Sequence, residues 1–201
     1  MEIKGESIRT LHLLLELGLH RNLIANSIKK LRGAADHWNM IEKGIDDGRS
    51  FPPIDIILIC VSCLSSSASI QRLLTIGNRN GPKSKRTLAR CKAFMKFLGQ
   101  PAIPTILSIK VRNSWEHMDE RLDHILENDQ FASVTPIHVS HKSPDPSTLV
   151  LRHFDPHLFE IKFLNSAISL AEIEKEISIL EGCISAAYKK LNEVNFDVYS
   201  A

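Results

Sequence analysis

The chain has 201 residues, 43% of them hydrophobic and 24% charged, with a formal net charge of +2. That is the length and composition of one globular domain with a real core. The longest apolar run, residues 54–64, is broken by Asp55 and Ser62, and the opening M-E-I-K-G-E has no apolar signal core. Both features argue against a membrane or secreted protein, and a cytoplasmic one is expected.

Residues 6–31 read as a long helix, with Ile8, Leu11, Leu15, Leu19, Ile24, Ile28 and Leu31 as its buried side. Gly33 is expected to end or break it, leaving a second helical piece at 34–45 before D-D-G-R-S. Pro52 and Pro53 suit the first turn of a helix over 54–75. Ile56, Ile57, Ile59, Val61, Leu64, Leu73 and Leu74 bury it on most sides, and the serine-rich run 65–69 would let another backbone come close. Cys60 and Cys63 form a C-x-x-C inside this run with no second pair, and Cys91 and Cys183 stand alone, so buried free thiols are expected rather than a zinc or redox centre.

G-N-R-N-G-P at 77–82 is a loop. Residues 84–98 read as a helix with Leu88, Cys91, Met95 and Leu98 toward the core, and Lys85, Lys92 and Lys96 as a ridge beside it. After a break at 99–104, Thr105 is placed to cap a helix running to about Leu126. Its apolar stripe is Leu107, Val111, Ser114, Met118, Leu122 and Ile125.

Beyond Asn128 the pattern turns β-rich at 134–139, 148–154 and 158–164, with F-D-P-H at 154–157 as the last turn. A two- or three-stranded sheet is expected. Of its four histidines, His138 and His141 fall on opposite faces of a strand, and all four, with His153 and His157, read as surface or turn residues rather than metal ligands. Ser169 and Glu172 form a capping box for the C-terminal helix, whose core face is Ile173, Ile177, Leu180, Ile184, Ala187 and Leu191, with E-K-E at 174–176 on its polar face. The fold expected is a single mostly α domain over 1–201, a helical bundle of five to six helices. A small β-sheet or hairpin insertion at about 134–164 precedes the C-terminal helix.

The charge is divided unevenly. Residues 56–115 contain no Asp or Glu but ten Lys and Arg, among them Arg79, Lys83, Lys85, Arg86, Lys92 and Lys96. The remaining fifteen Lys and Arg face 23 acids, a net −8. Such a split suits a surface that attracts a polyanion, although basic helices packed beside acidic ones would look the same.

Near the end of the basic span the chain reads R-N-S-W-E-H, with Arg112, Asn113 and His117. This arginine, polar neighbour and histidine on a late helix resemble the R-x4-6-H motif of the HEPN superfamily, many of whose members are metal-independent endoribonucleases. The resemblance covers that helix closely and the rest only as a helical layout. It implies an active site built at the cleft of a homodimer, with no cofactor and no metal, and RNA as the partner. The setting implied is a toxin or antiviral effector, with an antitoxin or regulatory partner.

Histidine supplies a proton shuttle near neutral pH and arginine a fixed fork of donors for a pentacoordinate phosphorus. These residue types therefore suit cleavage by attack of the 2′-hydroxyl. In that reading His117 is general acid or base, Arg112 clamps the transition state and Asn113 orients His117 or holds a phosphate oxygen. On a regular helix Arg112 and His117 diverge by about 140°, so a distorted turn or a second chain must bring them together. The plainer alternative pairs Arg112 with Glu116 on the helix surface and leaves a non-catalytic HEPN-like binding or scaffold protein. Arg32 and His37 repeat the bare spacing elsewhere in the chain without the polar neighbour.

Overall fold

The computed structural model describes residues 2–75, 82–108, 118–128, 131–164 and 166–199. Its helices are α1 (Glu2–Ile41), α2 (Pro53–Leu74), α3 (Pro82–Phe97), α4 (Met118–Asn128) and α5 (Leu170–Tyr199). Six short strands lie between α4 and α5. The protein is mostly helical with a small sheet region before the C-terminal helix, as its periodicities predict.

α1 is one continuous helix of 40 residues, about 60 Å long at 1.5 Å per residue. It passes straight through Gly33, contrary to the expected break. A mid-helix glycine costs only about 1 kcal/mol relative to alanine, and residues on both sides are tied into tertiary contacts. The helix instead ends at Gly44 (φ +73°), where Ile45 N–H donates to Met40 O at 3.0 Å and Gly44 N–H to Ile41 O at 2.9 Å. This pair of bonds around a left-handed residue is a Schellman cap.

The buried face of α1 also differs from the expected one. Leu14, Leu17, Ile24, Ile28 and Leu31 are buried, whereas Ile8, Leu11, Leu15, Leu19 and Leu23 are exposed. α1 packs on α2 and runs antiparallel to α5, as its ion pairs show: Arg32 meets Glu174 and, further toward the N-terminus, Arg21 meets Glu181.

α2 buries Ile56, Ile57, Cys60, Cys63, Leu64, Ile70 and Leu74, while Ile59, Val61 and Leu73 are half-buried. Ser66, Ser67 and Ala68 are buried too, so the serine run is an interface. Ser67 Oγ donates to Cys63 O at 2.9 Å. Among the described residues α2 alone is long and apolar enough to cross a bilayer. That corrects the expectation that no stretch reaches such a length: Asp55 and Ser62 interrupt the run without ending the helix.

α3 places Cys91, Phe94 and Leu98 inward, with Met95 half-buried. Leu88, expected in this core stripe, is exposed and Phe94 takes the inward place. α5 follows expectation closely: all six predicted apolar positions are buried, and Glu172 N–H donates to Ser169 Oγ at 3.2 Å, the N-cap half of a capping box, while the Glu172 carboxylate accepts from Lys175 Nζ at 2.6 Å.

The sheet region is richer than the two or three strands expected. β1 (Ser133–Thr135) pairs in parallel with β3 (Thr148–Val150). β2 (His138–Val139) pairs in parallel with β4 (Arg152–Asp155), which continues antiparallel to β5 (Glu160–Phe163) and then β6 (Ser166–Ser169). β6 leads straight into α5. Phe154, Phe159, Ile161, Phe163 and Ile168 join the helical core.

Candidate functional site

Arg112, Asn113 and His117 lie outside the described residues, as does Arg79. The chain on both sides of them is described. α4 begins at Met118, the residue after His117. On its stripe Leu122 and Ile125 are half-buried, while Leu126 is exposed.

On the other side, residues 104–107 form a turn held from a distance. Glu176 of α5, only 4% exposed, accepts N–H groups from Thr105 and Ile106 at 2.8 Å each. Gln71 of α2 donates through Nε2 to Leu107 O at 2.9 Å. A buried carboxylate is tolerated when its oxygens accept such bonds. Glu176 therefore faces inward and not onto the polar face assigned to E-K-E. The sequence signal was its position, three residues after Ile173 and four before Leu180, which is the core side of the helix.

Arg32 and His37 show what the bare R-x4-H spacing does on a regular helix. Arg32 donates to Glu174 through Nη2 at 2.5 Å and lies 3.7 Å above the Phe159 ring. His37 is buried, with Nδ1 2.7 Å from Asp47 Oδ1 and its ring against Phe51. The two side chains serve different neighbours and form no joint site.

Lys83 stands in the first turn of α3, and Lys85, Arg86, Lys92 and Lys96 are exposed along it. Taking about 100° per residue, Lys85, Lys92 and Lys96 form one ridge about 150° from the face that carries Cys91, Phe94 and Leu98. The helix has no acid of its own. The predicted ridge therefore exists as a solvent-facing cationic stripe, the geometry a phosphate backbone needs.

Of the four histidines, His141 and His157 are exposed in turns as expected, whereas His138 and His153 lie on strands and His153 is buried; the four form two pairs. His138 and His153 face each other in the β2–β4 register with ring centroids 5.0 Å apart. His141 and His157 stack at 4.6 Å. Glu42 joins the second pair: its Oε2 lies 2.5 Å from His141 Nδ1 and 3.5 Å from His157 Nε2. Glu42 stands about a hundred residues away in sequence, and no spacing could have announced it.

The C-x-x-C behaves as expected. Burial pushes the Cys63 thiol up to about 12 and Cys60 well above its usual value, so neither supplies a thiolate. No protein-family model, curated protein or solved structure matches this chain.

Proposed function

We propose that this chain is a metal-independent endoribonuclease of HEPN type, working in the cytoplasm as a homodimer in a toxin or antiviral role. The observation that carries the reading is the sequence R-N-S-W-E-H, with Arg112, Asn113 and His117, in a mostly helical protein. The cationic stripe of α3 supports it by offering a track for RNA.

In the proposed step the 2′-oxygen gives up its proton and attacks the adjacent phosphorus. The bond from phosphorus to the 5′-oxygen breaks, and that oxygen takes a proton. A 2′,3′-cyclic phosphate and a 5′-hydroxyl result. His117 moves one of these protons, Arg112 binds the charge on the pentacoordinate phosphorus, and Asn113 orients the histidine.

Variants separate binding from chemistry. His117→Ala is expected to abolish cleavage while RNA still binds, because it removes the proton shuttle but little charge. Arg112→Ala is expected to reduce both. Changing Lys85, Lys92 and Lys96 together to Ala should weaken RNA binding and flatten its dependence on salt, since fewer counterions are released. Binding indifferent to salt contradicts the RNA track.

A second reading, a non-catalytic HEPN-like scaffold, is favoured by Arg32 and His37, whose identical spacing sends the two side chains to separate partners. A mixture of Arg112→Ala and His117→Ala proteins decides between them. A site shared across a dimer regains part of its activity in the mixed dimer; a scaffold shows none in any combination.

A further inference from the structure

We propose that Glu42, His141 and His157 form a binding site for a divalent transition-metal ion of the zinc class, with a coordination position left for water. This goes beyond the ribonuclease reading and does not rest on it. One ligand atom from each residue lies within 4.8 Å of the other two. Two imidazoles and a carboxylate are a donor set suited to zinc and its neighbours, and three protein ligands leave a tetrahedral ion one place open.

The distances require only small movement. At bond lengths of about 2.0–2.1 Å, two ligand atoms of a tetrahedral zinc are about 3.4 Å apart. His157 Nε2 and Glu42 Oε2 are 3.5 Å apart, and His141 Nδ1 and Glu42 Oε2 are 2.5 Å apart. An ion seated between them would open the closer pair by less than an ångström. The imidazoles stack nearly parallel, at 11°, so one ring must turn about its χ2 bond to aim its lone pair at the common point. All three side chains are accessible, which leaves room for that turn.

The backbone under each ligand is fixed. Glu42 follows the last residue of α1, its N–H donating to Trp38 O at 3.0 Å, beside the Gly44 cap. His141 follows Ser140, whose N–H donates to Phe154 O at 3.2 Å and whose carbonyl lies 2.7 Å from His153 Nε2. His157 and Leu158 both donate N–H to Asp155 Oδ1 at 2.9 Å, and Asp155 is buried. Ligands on rigid backbone lose little freedom on binding. The electrostatics point the same way. Glu42 lies at the C-terminal end of a 40-residue helix, where the dipole is negative and a second negative charge is disfavoured. A cation there satisfies the carboxylate and the dipole together, and ties the end of α1 to the sheet.

The test uses tag-free full-length protein stripped with chelator, then titrated with Zn²⁺ by calorimetry and with Co²⁺ by visible absorption. The expected result is one ion per chain at micromolar affinity, Co²⁺ bands of a four- or five-coordinate ion, and a higher unfolding temperature with Zn²⁺. Glu42→Gln, His141→Ala and His157→Ala should each weaken binding at least about tenfold. His12→Ala should not, because thirty residues of helix place His12 about 45 Å from Glu42. Failure of wild type to bind at 100 μM Zn²⁺ overturns the proposal, as does unchanged affinity in the double variant His141→Ala, His157→Ala.

Discussion

Asp47 organises the connection between α1 and α2. One of its oxygens accepts the Arg49 N–H at 3.0 Å and meets His37 Nδ1 at 2.7 Å; the other accepts Arg49 Nε at 2.6 Å. The Arg49 guanidinium, with the Arg49 N–H and His37 behind it, holds the Asp47 carboxyl far below its usual 3.8. A carboxylate whose folded pKa is depressed contributes stability that is complete above its unfolded pKa and disappears as pH falls toward the folded one. Asp47→Asn should therefore unfold at a lower temperature than wild type at pH 7, and the gap should begin to narrow below about pH 5 and keep narrowing to the most acid pH at which the protein still folds. A gap independent of pH would assign the effect to packing. Glu176 ties α5 to the turn at 104–107 by accepting the N–H groups of Thr105 and Ile106 at 2.8 Å each.

At the scale of elements, α1 shows how an apolar helix can mislead. Leu11, Leu13, Leu14, Leu15, Leu17 and Leu19 cover nearly every direction around the axis, so two leucine stripes fit the period equally well. The face centred on Leu15 and the face centred on Leu17 lie about 160° apart. Packing against α2 and α5 selects the second. Leu14→Ala and Leu17→Ala should each cost about 2–5 kcal/mol in urea unfolding. Leu15→Ala and Leu19→Ala should stay within about 1 kcal/mol. Equal losses on both faces would contradict the assigned packing. α5 was readable because, Ile179 apart, its large exposed side chains among the described residues are polar, its cap is local and only one register buries isoleucine and leucine together. The sheet was readable as β-rich segments but not in its pairing. β6 is a four-residue S-A-I-S with little hydrophobic signal, and Pro136 and Leu151 divide what would otherwise be two longer strands.

At the scale of the whole molecule, the antiparallel pair α1–α5 is the frame, with α2 packed on α1, α3 packed on α2, and the sheet at the end of α1 next to Glu42. The basic span reaches the surface as the α3 ridge, while Glu174 and Glu181 of α5 are spent on Arg32 and Arg21 of α1. The division of charge seen in the sequence is thus partly a cationic face and partly internal pairing between helices. The candidate catalytic residues could be named from their types and spacing, yet whether an arginine and a histidine converge depends on local backbone and on a second chain, which helical spacing does not encode.

The most direct measurement is cleavage of an end-labelled single-stranded RNA by the purified chain in EDTA, with the product ends identified. Cleavage is expected without metal, leaving a 2′,3′-cyclic phosphate and a 5′-hydroxyl, and is expected to be lost in His117→Ala. Cleavage that needs an added metal ion, products ending in 3′-hydroxyl and 5′-phosphate, or full activity in His117→Ala would contradict the proposed mechanism.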